Sequence, residues 1–275
     1  MRISGEAHGL FYEEHGPSEG IPLILSPGLG GSGHYWAYNL DGLTGRSHGP
    51  YRVITYDHRG TGNSDRALPD VVTIEAMARD ILMVMDALDL STTNLIGHAL
   101  GGLAGLALAL VAPERLDRLV VVNGWVHLHP WTRRCFEARL ALLRDSGPRA
   151  YVRAQPLFLY PPFWLDGGHD EELAAQEHAA LATFPGIDTV EKRIAALTRF
   201  NIAARLGEIA TPVLCMGAFD DMLVPWSETV QLASRLPNAT QVIMDYGAHA
   251  VNVVDPDGFE EKVLAWLGGE PMTEE

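Results

Sequence analysis

Cysteine is nearly missing from this sequence: Cys135 and Cys215 stand alone and far apart. Two isolated thiols exclude a disulfide framework and a paired-cysteine zinc or iron–sulfur site, and they predict a reducing compartment. Positive charge is also scarce. Only 20 Lys and Arg stand against 35 Asp and Glu, a formal net charge of −15. A phosphate backbone would be repelled by that field, so nucleic acid is excluded as a partner. No apolar run is long enough to cross a bilayer. The stretch from Leu100 to Val111 is too short, is interrupted by Gly101, Gly102 and Gly105, and suits a buried helix. The opening residues Arg2-Ile3-Ser4-Gly5-Glu6 carry no apolar h-region, so a cytoplasmic location without a membrane partner is expected. The histidines are scattered without an H-x-x-x-H run, and neither a metal nor another cofactor is expected.

What is present is the material for one cooperative domain: 275 residues, 47% hydrophobic and 20% charged. Short apolar runs at Ile21–Ser26, Tyr51–Asp57, Asn94–Gly97, Leu119–Asn123, Thr211–Gly217 and Ala239–Asp245 read as strands. Between them, Glu75–Leu90, Leu100–Val111, Ser227–Leu236 and Pro256–Leu267 have helical spacing, and Gly269–Glu275 reads as a tail. Apolar strands alternating with helices predict an α/β fold with a mostly parallel central sheet flanked by helices. From His127 to about Arg205 the rhythm changes. Helix formers and aromatics dominate, Pro156, Pro161, Pro162 and Pro185 are expected to break them, and strand alternation is lacking. This predicts a core of residues 1–126 and 206–275, with residues 127–205 forming a helical cap inserted over the sheet.

Gly97-His98-Ala99-Leu100-Gly101 has the form of a nucleophile elbow, G-x-S-x-G, with alanine where the nucleophile belongs. The strand before it, the helix after it and two partner motifs downstream distinguish it from a plain helix start. His249, in Tyr246-Gly247-Ala248-His249-Ala250, follows the last predicted strand, in the chain order nucleophile, acid, histidine. A neutral imidazole accepts a proton from water as readily as from serine. Its carboxylate partner must come from Gly217–Pro225, where Asp221 is favoured by spacing and Asp220 is the alternative. The backbone amides of Leu29, in the Gly-rich loop after the first predicted strand, and of Leu100 are candidates for an oxyanion hole. That loop lacks the lysine of a P-loop, which argues against nucleotide binding.

Asp57 and Arg59 read as a structural turn, while His34, Tyr35 and Trp36 are candidates for a pocket mouth. Within the cap, Arg133 and Arg134 are candidate clamps for a substrate carboxylate, because a guanidinium fork matches its geometry. His98 and Trp125 are further candidates for substrate contact. A homodimer through an exposed apolar helix face is compatible with this pattern.

The chain resembles the alpha/beta-hydrolase superfamily over essentially its full length. Within it, the chain is most similar to the hydrolases of bacterial pyrimidine utilisation. The matching segments are Gly97–Gly101, Asn123-Gly124-Trp125, Thr132–Phe136, Gln155–Pro161, Asp220–Pro225, Gly247–Ala250 and Asp255-Pro256. The resemblance implies a cytoplasmic enzyme of uracil and thymine breakdown with a small anionic substrate. It implies hydrolysis of carbamate to ammonium and carbon dioxide, or of aminoacrylate to malonic semialdehyde and ammonia. Ala99 departs from the superfamily's serine and speaks against an acyl-enzyme. Two other readings stay open: an ester, lactone or amide hydrolase inactivated by a Ser-to-Ala change, and a non-catalytic binding protein on a degenerate hydrolase fold.

Overall fold

The computed structural model describes residues 2–45 and 51–270, so the end of the expected tail, residues 271–275, lies outside it. Among the described residues the strands are β1 (Arg2–Ala7), β2 (Leu10–His15), β3 (Ile21–Ser26), β4 (Tyr51–Tyr56), β5 (Thr93–His98), β6 (Leu116–Val122), β7 (Val213–Ala218) and β8 (Ala239–Met244). They form one sheet in the order β1-β2-β4-β3-β5-β6-β7-β8. From β4 to β8 all neighbours are parallel, whereas β1 and β2 pair antiparallel with each other and β2 with β4.

The parallel strands were legible because both of their faces are buried. Along β3, Ile24 enters one apolar cluster while Leu23 and Leu25 enter the other. Such strands read as unbroken apolar runs. The helices that cover the sheet are α1 (Leu40–Gly45), α2 (Ile74–Ala87) and α3 (Leu100–Val111), followed after the cap by α8 (Trp226–Ala233), α9 (Val251–Val254) and α10 (Pro256–Gly268). The hairpin β1–β2 is an addition that the apolar pattern does not announce, since its strands are short and rich in polar residues. Its turn does carry a signal. His8 and Gly9 both have positive φ, 50° and 79°, as a two-residue hairpin turn requires.

Between β6 and β7 the chain inserts α4 (Pro130–Leu159), α5 (Pro162–Leu165), α6 (Asp170–Ala182) and α7 (Ile187–Arg199). The expected break at Pro156 is not found, because that residue lies within α4. The break falls at Gly147, with φ 80° and ψ 179°, immediately before Pro148. Proline is well suited to the first turn of the helical segment that follows, where its missing N–H has no intrahelical acceptor to lose. No described helix is long and apolar enough to cross a membrane.

The turn from β5 into α3 is where backbone sterics are most demanding. A Cβ on Gly101 would lie 2.2 Å from the carbonyl oxygen of Ser26, and one on Gly97 would lie 2.4 Å from the backbone of Gly101 and Gly102. These contacts are with backbone, which cannot rotate away. Gly101→Ala is therefore expected to lower stability by about 1–3 kcal/mol, the range for an overpacked core, as measured by urea unfolding.

Candidate active site

The elements that converge on one site all arrive from the carboxyl ends of parallel strands, where open α/β sheets bind ligands. Ala99 follows β5 with φ 45° and ψ −107°, an unusual backbone for a residue bearing a Cβ. Its N–H donates to the Val122 carbonyl at 2.7 Å, which ties the turn to β6. The next residue, Leu100, begins α3, so its amide is one of the orphan donors of a helix start. The amides of Leu29 and Leu100 make no hydrogen bond among the described residues.

Two adjacent carboxylates after β7 divide the work of holding the histidine loop. Asp221 Oδ2 lies 2.8 Å from His249 Nδ1, while its Oδ1 accepts from the amides of Leu223 and Val224 at 2.7 and 2.9 Å. Asp220 instead accepts from the backbone of Ala248 (2.7 Å) and Gly247 (3.3 Å). Ala248 has φ 51° and Gly247 φ 121°, so Asp220 secures a strained turn and Asp221 faces the ring. His249 and Asp221 are almost completely buried. With Nδ1–H donated to Asp221, the lone pair of His249 lies on Nε2.

His249 is also held through its carbonyl. It accepts from Asn123 Nδ2 at 2.9 Å and from His98 Nε2 at 2.7 Å. Donation by His98 Nε2 assigns its tautomer. Burial, and secondarily the nearby His249, push the His98 pKa down to about 3, opposed only in part by the bond to the carbonyl. The His98 ring lies 4.7 Å from both the Tyr35 and the His249 rings, and Tyr35 is itself fixed by a 2.7 Å bond to Asn252 Oδ1. Among the described residues the side chain of His98 bonds the His249 backbone through Nε2, while its buried Nδ1 has no partner, so the ring supports the histidine loop. Trp36 is likewise displaced from the expected pocket mouth, being fully buried against Phe259, and His34 is exposed. Asp57 accepts from the amides of Gly33 and Asn63, and Arg59 pairs with Asp80, the structural turn expected of them.

The cap contributes arginines, but not the expected ones. On α4 the residues Thr132, Cys135, Phe136, Arg139 and Leu143 form the inward stripe at helical spacing. Arg133 and Arg134 fall on the opposite face, are exposed, and are not brought to the site. Thr132 Oγ1 and Trp131 Nε1 donate to the carbonyls of Leu223 and Met222, docking α4 onto the loop of Asp221. Arg139 is buried among the rings of Phe136, Tyr151 and Phe158 and donates to Tyr151 Oη and Gln155 Oε1. Trp125 is buried with its ring 6.5 Å from that of Phe136, and its indole N–H has no partner among the described residues.

On α7, Arg193 shares the buried stripe with Val190, Ile194 and Leu197 and reaches the Leu29 loop. The missed arginines did have a signal, since each is the one charged residue on a buried helix stripe that is mostly apolar. Asn123 was legible only as part of a matching segment. No group of three or more His, Cys, Asp or Glu among the described residues could hold a metal ion.

Two outcomes follow from this geometry. A buried histidine whose folded pKa lies below its unfolded value contributes stability above the unfolded pKa, and this is lost as pH falls toward the folded one. Urea midpoints are expected to fall between pH 6.5 and 3, and His98→Gln to flatten part of that slope. Ala99→Ser is expected to yield a burst and a covalent adduct with a small activated ester, detected by intact mass, because the elbow backbone is already in place.

The alpha/beta hydrolase fold family matches residues 21–155. A hydrolase structure from Pseudomonas aeruginosa PA01 superposes with a TM-score of 0.84 at 28% identity, covering 97% of this chain and 98% of that one. The enol-lactonase from Burkholderia xenovorans LB400 gives 0.83 at 24% identity, covering 96% and 99%, a likeness of fold alone. Sequence relatives are nearer. The candidate carbamate hydrolase RutD of Caulobacter sp. (strain K31) is 50% identical over 269 residues, 97% of this chain and 98% of that one. RutD of Pseudomonas syringae pv. syringae (strain B728a) is 46% identical over 264 residues, 95% of this chain and 100% of that one. Near-complete mutual coverage at that identity, on the architecture described above, means that this chain belongs to the RutD family of alpha/beta hydrolases.

Proposed function

We propose that this chain is a cytoplasmic hydrolase of a small anionic carbon–nitrogen compound, carbamate or aminoacrylate, and that it uses water activated by His249 in place of a serine. The observation that carries this reading is the intact, buried His249–Asp221 pair beside an elbow that presents only a methyl group. His249 Nε2 takes a proton from water as the water oxygen bonds to the carbamate carbon. Asp221 orients the ring and stabilises the imidazolium that forms. Charge building on a carbamate oxygen is met by the amides of Leu29 and Leu100. The imidazolium then returns its proton to nitrogen as the C–N bond breaks, leaving ammonia and bicarbonate, which dehydrates to carbon dioxide.

For aminoacrylate, water adds to the imine carbon of the imine tautomer, and loss of ammonia gives malonic semialdehyde. No oxyanion develops in that addition. The amides of Leu29 and Leu100 then hold the substrate carboxylate.

An anionic substrate suits the charges beneath the cap. Arg139 forms no salt bridge among the described residues, and its Nε lacks a partner although buried. An unpaired buried donor on a cation is complementary to a carboxylate, which is acceptor-only. Arg139 takes over the clamping role first expected of Arg133 and Arg134.

The test is direct assay of both compounds with spontaneous decay subtracted. His249→Ala is expected to lower kcat/KM about 10²–10⁴-fold, the usual weight of general acid–base catalysis. Asp221→Asn should follow in the same direction. Arg139→Gln should raise KM about 10- to 100-fold, the size of one lost charge-assisted hydrogen bond, with kcat little changed. Unchanged kcat/KM in His249→Ala on both compounds rules the mechanism out, and binding without turnover in the unmodified protein favours the non-catalytic reading.

A further inference from the structure

Arg193 is a cation 1% exposed that forms no salt bridge among the described residues. Burying an unpaired charge is costly, and an apolar residue at this position of the α7 stripe would serve packing better. Its contacts show what the charge is used for. Nη2 donates to the Gly28 carbonyl at 3.2 Å and to His58 Nδ1 at 2.8 Å, and Nε donates to the Leu29 carbonyl at 3.0 Å. The guanidinium thus grips two successive carbonyls of the loop that follows β3.

The Gly28 carbonyl and the Leu29 N–H are opposite ends of a single planar peptide unit. Because that unit is trans, its oxygen and its N–H point in opposite directions. A donor fixed on the oxygen therefore fixes the direction of the N–H. A cationic donor also withdraws electron density through the amide and makes the N–H a stronger donor, as in any polarised hydrogen-bond chain. We infer that Arg193 is the positioning residue that aims and strengthens the Leu29 amide as an oxyanion donor, so that the oxyanion site is completed by the cap and not by the core alone. This inference rests on the hydrolytic reading of the site.

The surroundings of Arg193 keep that grip in place. Burial lowers its pKa to about 10, partly offset by Tyr56 and Tyr151, so it stays cationic at neutral pH. Burial and the adjacent guanidinium hold His58 well below the ordinary histidine range, so its Nδ1 remains an acceptor. His58 Nε2 then faces Ser26 Oγ at 3.4 Å, and Ser26 Oγ bonds Tyr56 Oη at 2.8 Å. Positive charge is thereby backed by a neutral relay that cannot cancel it.

The test pairs kinetics with a readout that needs no substrate. In ¹⁵N-leucine-labelled protein, Arg193→Gln is expected to move the Leu29 amide proton upfield, and Arg193→Lys to restore only part of the shift. On carbamate, Arg193→Gln should lower kcat about 10- to 100-fold, below the loss on deleting an oxyanion donor outright, with KM within about twofold; on aminoacrylate, whose carboxylate the Leu29 amide holds, KM should rise instead. An unmoved Leu29 resonance in folded Arg193→Gln overturns the inference, as does a raised KM with unchanged kcat on carbamate, which would make Arg193 a simple anion binder. If Arg193→Gln does not fold, Arg193→Lys decides alone. A single ammonium cannot grip both carbonyls, so an unmoved resonance there also overturns it. If the unmodified protein turns over neither compound, the hydrolytic reading fails, while the Leu29 resonance still tests Arg193 as the positioning residue.

Discussion

The backbone at Ala99 is the constraint around which the site is arranged. A residue with a Cβ held at φ 45° and ψ −107° stores on the order of 1–3 kcal/mol that the surroundings must offset. In a serine hydrolase that strain exposes the nucleophile. Here there is no nucleophile to expose, yet the turn is intact down to the close backbone approach of Gly97 and Gly101 and the bond from Ala99 N–H to Val122. What the turn still delivers is the free amide of Leu100 at the start of α3, together with a methyl group where a larger side chain would stand. Both are useful to a reaction that stabilises charge and admits water.

The elements opposite the elbow are organised to hold one imidazole. Asp221 fixes the ring while its second oxygen is occupied by two amides, and Asp220 fixes the backbone turn that precedes the ring. His98 and Asn123 both donate to the carbonyl of His249. His98 does this from within the elbow itself, one residue before Ala99. The strained turn and the His249 loop are therefore parts of one mechanical unit, in which a buried neutral histidine acts as the strut between them.

How much of this was legible in the sequence follows from the range of the forces involved. Strands β3 to β8 and helices α2 and α3 are written in local apolar periodicity, and Asp221 was favoured over Asp220 by spacing alone. The hairpin β1–β2 escaped because edge strands with polar residues carry a weak periodic signal, although His8-Gly9 marks its turn. Arg139 and Arg193 escaped for a different reason. Their partners lie on other elements, so only the placement of a polar residue on an apolar stripe hints at them. Arg133 and Arg134 drew attention as a basic pair, but helix geometry turns both away from the stripe formed by Thr132, Cys135, Phe136 and Arg139.

Charge gives the cap its place in the argument. The chain as a whole carries −15, which slows the approach of an anion, but exposed charges are screened over roughly 8 Å at physiological ionic strength. Arg139 and Arg193 are buried and escape most of that screening, so their charge acts locally whatever the sign of the surface. Ala99, Asp221 and His249 are 6%, 6% and 4% exposed, which places the elbow and the His–Asp pair where water is few and fixed dipoles act strongly. A site of this kind does not need a covalent intermediate if its substrate is already prone to lose ammonia. It needs a base, a water and a preorganised place for negative charge. In the mechanism we propose, the core supplies the base and one amide, and the cap reaches down through Arg193 to fix the other.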